Sequence, residues 1–255
     1  MPVVSRVYRY VRDQLGSIRG VYVRGNQVVR HGDLGRREQT VLLLHGFMQT
    51  RAVWQVMEDR LRYDGYGVFS FDLGGFLYRF NTHSIDDLGE LIAAKVEGIC
   101  QRYELSGFHV VGHSKGGLVA RHWVQHHGGD RRVRSLTTLG TPHHGTPTAL
   151  LGWALFGGGL LSQSPGQMLP GSGLVRRLAK DTFPAHIPLT SIYSRGDLVC
   201  PYWASILRPR QGETSMRNHE LGKRVGHTAL AHDPEVYLVV RSELEKATAL
   251  WADRR

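Results

Sequence analysis

Gly112-His113-Ser114-Lys115-Gly116 joins a short apolar run, Phe108–Gly112, to a helical pattern that follows Ser114 and buries Leu118, Val119, His122 and Trp123. A serine framed by glycines two residues away on either side, between strand and helix, has the spacing of a very sharp turn. The serine backbone is strained there, and side chains at positions 112 and 116 would collide. Such a turn lifts the hydroxyl above the strand end at a helix N-terminus, where amides and dipole favour developing negative charge. The chemistry it serves is nucleophilic attack on a carbonyl.

A serine hydroxyl needs a base, and the base needs an acid to orient it. On a strand–turn–helix of this kind the acid follows the serine and the histidine follows the acid. Asp197, in Tyr193-Ser194-Arg195-Gly196-Asp197 directly after an apolar run, fits the acid. Asp72 and Asp181 compete, but Asp72 precedes the serine and Asp181 has no strand before it. His227, in Val225-Gly226-His227-Thr228 shortly before the last helix, fits the base, with His219 and His232 as alternates.

Attack also needs two backbone N–H groups where the carbonyl oxygen becomes negative. One comes from the residue after the nucleophile, Lys115. The other comes from the loop after the first apolar strand, Leu44-His45-Gly46-Phe47-Met48, with Phe47 as donor and Met48 as second choice. His143 and His144 in Thr141-Pro142-His143-His144-Gly145-Thr146 invite a metal reading. Adjacent histidines chelate one ion poorly without further ligands, so a loop-stabilising or pocket-lining role is favoured. Neither metal nor cofactor is expected.

These residues need a scaffold, and the chain supplies apolar runs separated by helices, the pattern of a mostly parallel sheet in an α/β fold. The expected strands are Val41–His45, Gly67–Phe71, Phe108–Gly112, Val133–Leu139 and Leu189–Tyr193. Helices are expected around Trp54 and Leu61, from Ser84 as N-cap with Asp87 three residues on, after Ser114, and from Asp233-Pro234. Ahead of them, residues 3–18 read as a basic amphipathic helix docked on the body of the protein, with contact to a membrane surface as its alternative. Val21–Arg24 and Gln27–Arg30 then read as a hairpin around Gly25-Asn26. Between Thr146 and Pro188 an apolar, Gly-rich stretch lacks sheet periodicity and stands where a cap would enter. No repeat or linker divides the chain, which predicts one domain over residues 1–255.

Lys and Arg number 32 against 22 Asp and Glu, a formal charge of +10, yet the basic residues are dispersed. A dispersed surplus without a basic tract argues against nucleic acid as a partner. Cys100 reads as a small buried apolar residue and Cys200 as a candidate thiol close to the acid loop. Arg6, Arg9 and Arg12 interrupt the apolar residues near the start, so no signal-peptide core forms and a cytoplasmic location is expected.

Leu44-His45-Gly46-Phe47, Gly112-His113-Ser114-Lys115-Gly116-Gly117, Gly140-Thr141-Pro142-His143-His144-Gly145 and Gly226-His227-Thr228 together resemble bacterial triacylglycerol lipases and related esterases of the α/β-hydrolase superfamily. The similarity runs over roughly residues 40 to 250. It implies an α/β-hydrolase fold, a Ser114–Asp197–His227 triad, an oxyanion hole at Phe47 and Lys115, and a lipid-contacting cap within 146–188. Lys115 departs from the Gln or Met that many of these lipases carry. The expectation is hydrolysis of small-molecule or lipid esters through an acyl-serine. An acyltransferase using the same chemistry and a non-catalytic binding protein on the same fold are the alternatives.

Overall fold

Short apolar runs flanked by helical patterns pair most economically as parallel strands, because each crossover helix covers a face of the sheet. In the computed structural model, which describes residues 34–70, 72–74, 81–211 and 213–252, six strands do so. They are β1 (Thr40–Leu44), β2 (Gly67–Ser70), β3 (Phe108–His113), β4 (Val133–Leu139), β5 (Leu189–Tyr193) and β6 (Met216–Glu220). The order is β2-β1-β3-β4-β5-β6, and every neighbouring pair is parallel. The N-terminal helix expected at 3–18 and the hairpin after it lie outside the described residues.

Strand alternation sorts the core into two layers. Leu42 and Leu44 of β1 and Val110 of β3 face one side of the sheet. They meet Ile85, Leu88 and Ile92 of α2 (Ile85–Tyr103) and Leu118 and Trp123 of α3 (Lys115–His126). Val41 and Leu43 face the other side, against Met57 and Leu61 of α1 (Gln55–Tyr63) and Val236, Val240 and Leu244 of α8 (Pro234–Ala252). Ser84 caps α2 as expected, its Oγ accepting the Asp87 amide at 3.1 Å. Asp233 Oδ1 accepts the Glu235 amide at 2.9 Å at the start of α8.

Strands β1 and β3 end elsewhere than expected. β1 stops at Leu44 rather than His45, because the His45 ring turns inward and its Nε2 accepts the Leu73 amide at 3.1 Å. β3 continues one residue further, through His113, while β2 covers Gly67–Ser70 as expected and Phe71, its expected end, lies outside the described residues. β6 is an addition. Its sequence Met216-Arg-Asn-His-Glu220 has no apolar run, and it sits at the sheet edge, where one neighbour and main-chain bonds suffice.

Between Thr146 and Pro188 the chain divides into two parts of different character. Helix α6 (Gly173–Lys180) buries Leu174, Val175 and Leu178. Helix α4 (Ala149–Leu155) buries only Ala149, and the stretch through Leu161 stays largely exposed. The short α5 (Ser164–Gln167) lies between them, and the equally short α7 (Tyr202–Ser205) follows β5.

Candidate active site

A parallel sheet sends every strand's C-terminal end to one edge, so loops that follow different strands converge there. Ser114 follows β3, Phe47 follows β1, Asp197 follows β5, and His227 lies in the loop beyond β6. Ser114, Phe47 and His227 line one cavity of about 520 Å³, together with Met168, Leu198 and Val199.

The serine turn is as tight as its glycines require. Ser114 adopts φ 54°, ψ −125°, a conformation that costs an L-residue about 1–3 kcal/mol. Its amide is held by the Leu139 carbonyl at 2.8 Å, which fixes the turn to β4. A Cβ on Gly112 would fall 2.6 Å from the Gly117 Cα, and one on Gly116 only 2.1 Å from the Leu44 carbonyl oxygen. As the first residue of α3, Lys115 presents an amide that has no acceptor within the helix.

Asp197 and His227 form a bonded pair. His227 Nδ1 lies 2.7 Å from Asp197 Oδ2, and since a carboxylate only accepts, the imidazole donates from Nδ1. The other carboxylate oxygen accepts the amides of Val199 at 2.9 Å and Cys200 at 2.7 Å. Both oxygens are therefore occupied and the carboxylate cannot turn. Gly140 sits beneath the pair with φ +53°, where a Cβ would fall 2.8 Å from Asp197 Oδ2.

The competing acids and bases serve elsewhere. Asp72 Oδ1 accepts the Arg51 amide at 2.8 Å, at the turn that leads into α1. Asp181 follows α6 and faces His126 at 3.6 Å. His219 lies on β6, and the His232 carbonyl is taken by Arg60 at 2.9 Å. Cys100 and Cys200 are both buried and unpaired, and burial pushes the Cys200 thiol well above its ordinary range. What Cys200 offers the site is its main-chain amide.

Among the described residues no group of three His, Cys, Asp or Glu side chains could hold a metal ion. The His143 Nε2 donates to Thr138 Oγ1 at 3.0 Å, and the His144 Nε2 to the Ile206 carbonyl at 2.8 Å. Burial, with Arg121 beside it, holds His143 well below the ordinary imidazole range and hence neutral. Thr141 Oγ1 donates to the Ser114 carbonyl at 3.0 Å. The 140–145 segment thus braces the serine turn from below.

Two residues that sequence reasoning passed over hold the loop carrying Phe47. Gln49 Oε1 accepts the Gly46 amide at 2.8 Å and lies 3.0 Å from His113 Nδ1. His113 Nε2 in turn donates to the His227 carbonyl at 2.9 Å. Burial first, then the neighbouring His227, keep His113 far below its usual pKa, so the ring is neutral and has one proton to donate, the one given to the His227 carbonyl. Asn81 Nδ2 donates to the carbonyls of His45 at 2.8 Å and Gly46 at 3.1 Å. Asn81 acts on main-chain groups of residues distant in sequence, and Gln49 reaches a distant side chain besides the nearby Gly46 amide, roles with no local pattern to betray them.

Known proteins share this frame. A profile of the alpha/beta hydrolase fold matches residues 39–160. A probable lysophospholipase, BODYGUARD 3 of Arabidopsis thaliana, is 29% identical over 114 residues, which cover 43% of this chain and 22% of that protein. The mature form of a Bacillus licheniformis lipase superposes with a TM-score of 0.65 at 16% identity, over 86% of this chain and 96% of that one. Lipase B of Aspergillus fumigatus does so with a TM-score of 0.69 at 17% identity, over 85% of this chain and 55% of that one.

Proposed function

From an α/β-hydrolase fold that resembles the lipases and esterases, we propose that this chain hydrolyses carboxylic esters of lipid-like acids through an acyl-Ser114 intermediate. The observation that carries the reading is the Asp197–His227 pair, bonded at 2.7 Å, opening onto the same cavity as the strained Ser114. His227 Nε2 takes the Ser114 proton as Oγ attacks the ester carbonyl. The amides of Phe47 and Lys115 receive the oxyanion, each worth about 3–4 kcal/mol when lost singly. His227 then returns the proton to the departing alcohol, and a water activated by the same imidazole releases the acid.

The cavity walls support an apolar acyl group. Phe47, Leu151, Met168, Leu198 and Val199 line it, and each buried methylene adds about 0.8 kcal/mol. The 146–188 insertion, which contributes Ala149, Leu151, Pro165 and Met168 to these walls, serves as the cap over this acyl site, and the proteins named as lipases and a lysophospholipase agree with that substrate class.

The test is hydrolysis of p-nitrophenyl esters of increasing chain length by the wild type and by Ser114→Ala. Wild-type turnover that rises with chain length and falls by on the order of 10⁴-fold or more in the variant is expected. Turnover that survives the substitution would overturn the assignment of Ser114. Product that forms only when an alcohol is added would move the reading to acyl transfer.

A further inference from the structure

The mechanism above uses the amide of Lys115 and leaves its side chain idle. That side chain is wholly buried, inside the turn that carries the nucleophile. An ammonium group in the interior needs an acceptor for each of its three protons. Lys115 Nζ has three: the Asn81 carbonyl at 2.8 Å, Asn81 Oδ1 at 2.8 Å and the His83 carbonyl at 2.6 Å. The Phe47 ring adds its face, with the centroid 5.8 Å away.

The arrangement holds more than the lysine. Asn81 is fully buried at φ +47°, a left-handed conformation that a non-glycine residue keeps only when its surroundings enforce it. Its side-chain oxygen faces Lys115 while its side-chain amide grips the carbonyls of His45 and Gly46. The bonds therefore run without a break from the nucleophile turn, through Asn81, to the two peptides that precede Phe47.

We infer that the Lys115 ammonium is a positioning residue for the oxyanion hole. It locks Asn81, and through Asn81 the 45–47 turn, so that the amides of Phe47 and Lys115 stand as a fixed pair. This rests on the reading of those amides as the oxyanion donors. A small displacement of such a donor is costly, since a misplacement of about 1 Å lowers rates by roughly 10²-fold.

The charge state matters to the lock. A neutral amine has two protons for three oxygens, and its lone pair would then face one of them. Burial pulls the Lys115 pKa well below 10.5, while Asp87 on α2 favours the ammonium. The other titratable groups around it are His45, kept neutral by burial with a pKa of about 4, and His83, whose carbonyl is one of the acceptors. Alkaline loss of the Lys115 proton should therefore release the loop at a pH where an ordinary lysine is still charged.

The experiment compares wild type, Lys115→Met and Asn81→Ala on a short-chain p-nitrophenyl ester from pH 7 to 10.5, with folding followed by circular dichroism. In folded Lys115→Met, kcat is expected to drop about 10–100-fold with KM changed less than about twofold. The wild type should lose kcat on an alkaline limb that the Met variant lacks. Asn81→Ala should reproduce the drop, and adding it to Lys115→Met should cost little more, because the two act through one chain of bonds. Folded single variants with wild-type kcat, or an alkaline limb that persists in Lys115→Met, would overturn the inference and leave the ester hydrolase reading intact. Should Lys115→Met not fold, the wild-type pH profile and Asn81→Ala decide alone. Activity absent from every protein, wild type included, would instead sink the hydrolase reading itself.

Discussion

The floor and the rim of the cavity are built on opposite rules. On the floor, Ser114, the 140–145 brace and the Asp197–His227 pair are enclosed, and glycines at 112, 116, 117 and 140 stand where a single added carbon would meet another atom closer than 3 Å. At the rim, Leu155 is 72% exposed, Leu160 91% and Leu161 75%, with glycines at 157–159 that have no such close neighbour. Reacting groups must be held to a fraction of an ångström, which demands packing and satisfied hydrogen bonds. On the proposed function that surface meets a flexible apolar chain, which demands neither, and exposed leucines add little to the fold. On that function the difference separates residues kept for geometry from residues kept for contact.

The sharpest break of the floor is a substitution that leaves its shape alone. In Asp197→Asn the oxygen that accepts the Val199 and Cys200 amides must stay an oxygen, so the new NH₂ group faces His227 Nδ1. That forces Nδ1 to accept and places the imidazole proton on Nε2, where it can no longer take the Ser114 proton. A fall of kcat by about 10⁴-fold is expected with the melting temperature nearly unchanged. A variant of Asp197→Asn with more than a tenth of wild-type kcat would remove Asp197 from the proposed triad.

The next break tests geometry itself. Gly116→Ala would drive a carbon to within 2.1 Å of the Leu44 carbonyl oxygen, a main-chain atom that cannot swing away. Destabilisation of about 3 kcal/mol is expected from such overpacking, read from denaturant melts, together with loss of ester turnover. Gly173→Ala is the control, since nothing lies within 4 Å of the carbon it adds. Equal stability of the two variants would show that the floor yields as readily as an open helix start.

Legibility from sequence follows the same division between local and distant causes. Val133–Leu139 and Leu189–Tyr193 could be read to the residue because apolar, β-branched and aromatic residues dominate each between turn signals, although both also carry Ser and Thr. Ser114, Asp197 and His227 stood out because a strained turn demands glycines nearby and because strand ends follow one another in chain order. β6 was not legible, since an edge strand held by main-chain bonds needs no apolar signature. Gln49, Asn81 and the Lys115 ammonium were missed for a related reason. Each reaches a group brought near by folding, 32 residues away in the case of Lys115 and His83, and nothing in a local window marks that.

The rim gives the smallest effects, and they should appear only with the right substrate. Leu151 lines the cavity although it is 67% exposed, whereas Leu160, 91% exposed, does not line it. Truncating Leu151 to Ala removes apolar wall along a bound acyl chain and should lower kcat/KM for long-chain esters by roughly fivefold, about 1 kcal/mol, while sparing short ones. Leu160→Ser removes no cavity wall. Its effect should be absent with any monomeric ester and should emerge, as a few-fold loss, only when substrate is presented on a dispersed lipid surface. Both variants should melt within about 0.5 kcal/mol of wild type, because exposed side chains contribute little to folding. Steady-state kinetics on monomeric and dispersed esters of one chain length separates the two sites. A Leu160→Ser protein that is impaired equally on both, or that has lost stability, would mean that the rim belongs to the packed body of the protein, and the contrast between floor and rim would fail.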